Sequence, residues 1–592
     1  MACNEEKPKE SRLWTLCNKS NPKTYIHSKF RCGNILDFSS SVNEDNVAAL
    51  KTLLRTAQKR KVQQLESQFH SFRDKSELQQ LLKTVAEQTN GGRHLKTFQK
   101  KLFNGDFQKA CSVASLAYKE LSIFCDANHY RSDPDSSYVL HDYLEITSSS
   151  AFRRLQDKAQ VYSLENRDFV RSRLTHSLEV SANCERIASY IDFSRLLHFG
   201  EPSIKNDCVY AVRCAGLLHD IGNPPFGHYG ETVIKEFFKS KESENETLID
   251  RGLYADFTKF DGNAQALRIA TKLQYFGNKT NLNLTACVLG ALIKYPFSSS
   301  HHYGDGKDKF GYFRSEDDVI TLLSSFGVFV EGVSNPLSLI LEAADDISYA
   351  TADLEDAIHK GLLTFDSFSH LEEIGKNDPH TKEFYATLEA SYRSDMRRFL
   401  PSEKAAGKGD YQRIFEHASR SVLAKYRSVF LEVAAKQFSD NQLKILEEGV
   451  LRLESGKEYE LMSDNEYSTL FKALKKIMAS VYDAPTIVAN EICGQRILET
   501  VLEAYYQALS SATPDLKEES FSWKGVPKAD YYRRLMSLVS PDFVKNFFKE
   551  AAHAGGDLTY VTFLKYHLLI DFVSGMTDGY AKEIFEIISG TK

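Results

Sequence analysis

The segment Leu217-Leu-His219-Asp220-Ile-Gly222-Asn-Pro224-Pro225-Phe-Gly227-His228 constrains this chain more than any other. Its apolar lead-in reads as a helix that ends on a His-Asp pair and is stopped by glycine and proline. Adjacent helix residues point about 100° apart, so both side chains reach one object only if it sits close to the backbone between them. A metal ion meets that condition. The sequence offers two further ligands, His176 in Arg171-Ser-Arg-Leu-Thr-His176 and Asp345 in Glu342-Ala-Ala-Asp345-Asp346-Ile-Ser-Tyr349. Two imidazoles and two carboxylates suit Mn, Fe, Co, Ni or Mg, with positions left for water and a phosphoryl oxygen. Spacing alone leaves a structural His-Asp pair and a solvated Asp345-Asp346 helix face as alternatives.

Around this segment the composition is that of a globular chain. With 592 residues, 42% hydrophobic and 12% aromatic, it can bury a large core divided into two or three units. Fourteen prolines, 31 glycines and many apolar residues three and four apart predict an all-α fold. No window approaches the roughly 18–20 apolar residues of a membrane span, and the N-terminus lacks the basic and apolar regions of a signal peptide. A cytoplasmic protein that makes no membrane contact is expected. The ten cysteines form no CxxC pair and read as reduced, mostly core thiols.

Three regions follow from the pattern of breaks: 1–135, carrying a basic helical insertion; 136–360, where histidines, acidic residues and Gly/Pro turns concentrate and a catalytic core is expected; and 361–592, a series of amphipathic helices. The net charge is −6, yet residues 51–100 hold eleven Lys/Arg against four Asp/Glu. That run suits contact with a polyanion, or the solvated faces of two helices.

Several words of the sequence stand in one order: Ser149-Ser-Ala-Phe-Arg-Arg-Leu-Gln-Asp-Lys158-Ala-Gln160-Val161, Arg173-Leu-Thr-His176, and His219 to Glu231. Asp261-Gly-Asn263, Leu292-Ile-Lys294-Tyr295-Pro296, Lys309-Phe-Gly-Tyr312, Glu342 to Tyr349 and Ser574-Gly-Met-Thr-Asp578 follow. Together they resemble the motifs of the bacterial deoxyguanosinetriphosphate triphosphohydrolases, a branch of the HD-domain phosphohydrolases. Residues 40–135 match no part of that family, and His141-Asp-Tyr-Leu-Glu-Ile146 stands where it carries an Arg-Asp-Tyr-Asp-Arg run.

The resemblance implies a helical HD core in which His176, His219, Asp220 and Asp345 hold a divalent ion, manganese or magnesium first, with cobalt, iron or nickel fitting the same donors. It implies hydrolysis of dGTP, and of other deoxynucleoside triphosphates, to deoxynucleoside and tripolyphosphate. Lys294, Tyr295 and Lys309 match family positions that bind the triphosphate, and Asn263 belongs to the same substrate set. Arg173, three residues before His176 on one helix face, is placed to pair with phosphate oxygens. His228 and Glu231, spaced i, i+3, share a face after the Pro-Pro turn; by resemblance they act at the scissile phosphate.

Asp345, Tyr349 and Asp353 are spaced i, i+4, i+8 and drift by about 40° per step along one helix stripe. By resemblance Tyr349 and Asp353 meet the sugar, and Gln160 with Val161 packs against it and bonds its 3′-hydroxyl. Glu491 is the one candidate for reading the base. The resemblance further implies a homo-oligomer, a hexamer above other forms, and single-stranded DNA as an effector. Two other readings start from the same residues: a different HD-superfamily phosphohydrolase or phosphodiesterase, and a regulatory nucleic-acid-binding protein built on an HD fold.

Overall fold

The computed structural model describes residues 138–592 except 164–168, 192–201, 275–280, 301–308, 326–328, 330, 333, 401–406 and 449–459. The basic run within 51–100 and the whole of the expected N-terminal region 1–135 lie outside the described residues. Within them the chain is helical, as expected, apart from one antiparallel pair, Thr513–Asp515 with Ser520–Ser522. No helix among them is long and apolar enough to cross a membrane. Cys184, Cys208, Cys214 and Cys287 are buried and Cys493 is exposed, and none of the five is in a disulfide.

The helices that position the site are α1 (Tyr138–Ser148), α2 (Arg173–Tyr190), α3 (Pro202–Leu218), α4 (Gly227–Ser240), α5 (Gly262–Lys272), α6 (Ala286–Leu292) and α7 (Pro336–Ser348). From the C-terminal part come α8 (Lys408–Glu448), α9 (Pro485–Ser511), α10 (Leu558–Ser574) and α11 (Asp578–Ser589). Helix α2 packs along α3, and α7 lies on both. The seam is dry: Val180, Cys184, Ile187, Val212, Ala215, Leu341, Ala344 and Ile347 are all fully buried. At Gly216 the two helices meet so closely that a Cβ would stand 2.7 Å from the Cα of Ser181. Only glycine fits, and the close crossing brings the end of α3 beside the first turn of α2.

Local chemistry starts α7 sharply. Asn335 caps it by accepting from the Leu337 amide, and Pro336 occupies the first turn, where no amide donor is needed. The Asn183 amide then donates to Ser348 Oγ at 2.9 Å, tying α2 to the far end of α7.

The C-terminal helices are joined to this core by charge as well as by packing. Arg268 on α5, fully buried, donates to Asp571 of α10 at 2.8 Å, to Glu316 at 2.9 Å and to Glu550 at 3.3 Å, while Lys272 reaches Glu550 at 3.0 Å. Burial still pushes the Glu316 carboxyl up to about 7, against the pull of Arg268 and Lys272. Truncating the cation would leave buried carboxylates uncompensated. Arg268→Met is therefore expected to lower the unfolding free energy by about 3–5 kcal/mol, measured by urea denaturation; a loss below 1 kcal/mol would contradict the assigned role.

Candidate metal centre and nucleotide cavity

Helix α3 ends at Leu218, so His219 and Asp220 occupy the turn just beyond it rather than its last helical residues. His219 Nδ1 lies 2.8 Å from the Gly216 carbonyl oxygen. A carbonyl can only accept, so Nδ1 carries a proton, and Nε2 is the nitrogen that offers a lone pair in the neutral ring. That Nε2 is buried and has no hydrogen-bond partner.

It faces three other donor atoms. His176 Nε2 lies 3.2 Å from Asp345 Oδ1, Asp345 Oδ1 lies 3.5 Å from His219 Nε2, His219 Nε2 lies 3.5 Å from Asp220 Oδ2, and Asp220 Oδ2 lies 3.9 Å from His176 Nε2. The donors thus form a closed ring. With bonds of roughly 2.0–2.2 Å to imidazole and carboxylate, neighbouring ligand atoms around one ion should lie about 3–3.5 Å apart. Three of the four spacings meet that range and the Asp220–His176 one exceeds it at 3.9 Å; with the orphaned His219 Nε2 and the mixed nitrogen and oxygen donors they suit a divalent cation, which His176, His219 and Asp220 stand close enough together to hold.

Cations hold the two carboxylates in place. Arg173 Nη1 pairs with Asp220 Oδ2 at 2.8 Å, and Asn223 Nδ2 donates to Asp220 Oδ1 at 2.5 Å. Lys294 Nζ pairs with the other oxygen of Asp345 at 2.7 Å. Burial alone would raise both carboxyls, but Arg173 and the two histidines hold Asp220 below its usual range, and Lys294 and the histidines hold Asp345 well below it. His176 shows the converse: burial disfavours its proton, yet Asp345, Asp353 and Asp220 lift it to about 9. Arg173 and Lys294, expected to contact phosphate oxygens, both line the cavity, and each is also engaged with a ring carboxylate. Gly227, at φ +62, leaves the space Arg173 needs, since a Cβ there would stand 2.7 Å from Nη2.

On α4, His228 Nδ1 lies 3.3 Å from Glu231 Oε2, and the Gly262 amide donates to Glu231 Oε1 at 3.0 Å. Glu231 is buried, whereas the His228 side chain is 71% exposed into the cavity. The Glu231 carboxylate raises the His228 pKa. Burial would raise Glu231, but His228 and Lys309 bring it down to about 2. Asp261 caps α5 and accepts from the Asn263 side chain at 2.7 Å. Lys309 Nζ stands 3.8 Å from Asp261 and 5.9 Å from the Tyr295 ring centroid.

Beyond Ser348 the α7 helix widens into a π turn over Tyr349–Asp353, which the spacing argument did not foresee. A wider turn lags where an α-turn advances, so it offsets the drift that three residues at i, i+4, i+8 would otherwise show. Tyr349 and Asp353 consequently face the same cavity as Asp345. Gln160 Nε2 donates to Asp353 Oδ2 at 3.4 Å, and burial pushes the Asp353 carboxyl up to about 6 despite His176.

One cavity of about 620 Å³ is lined by Gln160, Val161, Arg173, His176, His219, Asp220, His228, Asn263, Lys294, Tyr295, Lys309, Asp345, Tyr349 and Asp353, and Glu491 lies at its wall. Glu231 alone among the expected residues reaches it through another side chain, His228. Sequence reasoning missed Lys475, Tyr482, Ile487 and Asn490, which also line it. Lys475 and Tyr482 arrive from the two short helices before α9, and Ile487 and Asn490 from the start of α9 itself.

A ring of two buried histidines, the buried Asp220 and the half-buried Asp345 at the end of a helix pair is the arrangement of an HD domain, and the HD domain family matches residues 173–255. The chain is 31% identical over 473 residues to a deoxyguanosinetriphosphate triphosphohydrolase-like protein of Listeria monocytogenes, covering 76% of this chain and 93% of that protein; the Listeria innocua counterpart gives the same figures. This chain belongs to the deoxyguanosinetriphosphate triphosphohydrolase-like family of HD-domain proteins. HD domains bind divalent metals, and His176, His219 and Asp220 form a group that could hold one. Replacing His219 or Asp220 by alanine is expected to weaken Mn²⁺ binding by at least about 10-fold while leaving the helical circular dichroism intact. Calorimetric titration checks this, and unchanged affinity in a folded Asp220→Ala protein would exclude the ring as the metal site.

Proposed function

We propose that this chain is a divalent-metal-dependent deoxynucleoside triphosphate triphosphohydrolase that favours dGTP and releases deoxynucleoside and tripolyphosphate. The observation that carries the reading is the single cavity shared by the histidine-aspartate ring, the His228–Glu231 pair and the Gln160–Tyr349–Asp353 group. A phosphate centre and a sugar pocket that open on one space suit one nucleotide.

His176, His219, Asp220 and Asp345 would hold Mn²⁺ or Mg²⁺, with Co, Fe or Ni fitting the same donors; the bound ion supplies Lewis acidity at the α-phosphate. Water attacks the α-phosphorus, the bond from phosphorus to O5′ breaks, and the departing 5′-oxygen takes a proton. His228, its Nδ1 engaged with Glu231, exchanges protons through Nε2 in the cavity. Lys309, held only loosely by Asp261, brings positive charge toward the triphosphate, with Lys294, Tyr295, Asn263 and Arg173 on the same wall. Tyr349, its hydroxyl raised to about 12 chiefly by burial, stays neutral and presents its ring to the sugar. A ring against C2′ rejects a ribose oxygen by contact. Gln160 and Asp353 meet the 3′-hydroxyl, beside Val161. Glu491 offers a half-buried carboxylate to the N–H donors of guanine, and the names of the Listeria relatives favour the same base.

The reading extends to a homo-oligomer, a hexamer by resemblance, and to single-stranded DNA as an effector at the basic run within 51–100. Its support is the family resemblance and the charge of that run.

Incubation with each deoxynucleoside triphosphate and with GTP, in Mn²⁺ or Mg²⁺, tests the activity. Deoxynucleoside and tripolyphosphate are expected in equal amounts; a deoxynucleoside monophosphate as the primary product would refute the reading.

The pH profile tests the pair. Because the Glu231 carboxylate raises the pKa of His228, Glu231→Gln removes that support, and the imidazole falls toward about 6.5. The limb of kcat/KM that tracks His228 should move to lower pH, whether the ring gives or takes the proton. A limb that does not move would remove the pair from the mechanism.

A further inference from the structure

The Ser574–Asp578 turn between α10 and α11 lies far along the chain from the metal ring, yet it is bonded to the segments on either side of it. Lys158 is buried, and its Nζ donates at 2.6 Å both to the Asn223 carbonyl and to the Ser574 carbonyl. Asp578 is buried too: its Oδ1 accepts from the Phe226 amide at 3.1 Å, and its Oδ2 accepts from the Ala159 amide at 3.2 Å. One buried lysine and one buried aspartate thus tie together three stretches of backbone, Lys158 to Gln160, Asn223 to Phe226, and Ser574 to Asp578.

Two of these stretches, Lys158 to Gln160 and Asn223 to Phe226, lead directly to residues of the cavity. Asn223, whose carbonyl Lys158 holds, donates its side-chain amide to Asp220. The Lys158 carbonyl accepts from the Arg173 amide at 3.0 Å, and Ala159 forms an isolated bridge with Ser172. That sets the start of α2, and Arg173 in turn grips Asp220. Two residues on from Lys158, Gln160 meets Asp353. Phe226, whose amide Asp578 binds, sits at φ 63, a left-handed conformation that a non-glycine residue adopts only when its surroundings impose it. Phe226 immediately precedes Gly227 and His228.

We propose that Lys158 and Asp578 are positioning residues that clasp the turn after the His219–Asp220 pair to the Gln160 segment and so fix the Asp220 carboxylate and the His228 entry into α4. They touch neither metal nor nucleotide. The effect on turnover rests on the function proposed above, whereas the effect on metal binding does not.

The test compares Lys158→Met, Asp578→Asn and Phe548→Leu with the unsubstituted full chain. Phe548 packs against Phe521 and Phe547 among the C-terminal helices and serves as a control for lost stability. For each protein, Mn²⁺ affinity is measured by calorimetry, kcat and KM with dGTP, and Tm by scanning calorimetry. Loss of a partner that orients a ligand is expected to weaken Mn²⁺ binding and lower kcat by roughly 10- to 100-fold. KM should change far less, and Phe548→Leu, at a similar drop in Tm, should keep both metal affinity and kcat. Unchanged Mn²⁺ affinity in the two clasp variants, or an equal loss in the control, would overturn the clasp. Mn²⁺ affinity that falls in the clasp variants of a chain that hydrolyses no deoxynucleotide supports the clasp while refuting the proposed activity. Absence of Mn²⁺ binding by the unsubstituted chain would overturn the metal reading and the clasp together.

Discussion

Like charges forced together in a poorly hydrated interior set the terms for this structure. Asp220, Asp345 and Asp353 all stand within about 4 Å of one imidazole, that of His176, and carboxylates so placed repel strongly. The surrounding helices answer with positive charge. Arg173 meets Asp220, Lys294 meets Asp345, and His176 takes up a proton that its burial alone would refuse. A divalent ion in the ring does the same work with more charge, and the His176 proton must leave for it to bind.

The same logic explains why cations expected to face a substrate are found on carboxylates. Arg173 and Lys294 lie in the cavity wall, but their first task is to keep two aspartates ionised and aligned. Lys309 differs, since its nearest carboxylate, Asp261, is only loosely approached at 3.8 Å and the side chain is partly exposed. The cavity therefore contains two kinds of positive charge, one committed to the architecture and one open to an incoming anion.

What could be read from the sequence follows from how locally each feature is encoded. The His219–Asp220 pair, His228 with Glu231, and Arg173 with His176 lie within single turns of chain, so spacing and chemistry made them candidates; the motif resemblance chose among the alternatives that spacing left open and added Gln160, Lys294 and Lys309. The helical class followed from apolar periodicity. The π turn at Tyr349–Asp353 was hidden because its hydrogen-bond register is decided by packing, with Arg427 of α8 donating to Thr351 Oγ1 at 3.0 Å. Tyr482, Ile487 and Asn490 were hidden for a related reason: a cavity wall supplied by a distant helix leaves no period in the sequence. The Arg268 cluster likewise joins α5 to Glu316, Glu550 and Asp571, which no spacing connects.

The bonds made by the Ser574–Asp578 turn also bear on how the protein comes into being. Lys158 and Ser574 are 416 residues apart, and Ala159 and Asp578 are 419 apart. During synthesis the segments that carry His176 and His219 leave the ribosome long before the segment that braces the turn between His219 and α4. A nascent chain can thus pack its histidine-aspartate ring early and still lack the bonds that settle Phe226. The bonds that settle Phe226 therefore cannot be complete until α10 and α11 have been made, however early the segment that supplies the ligands folds.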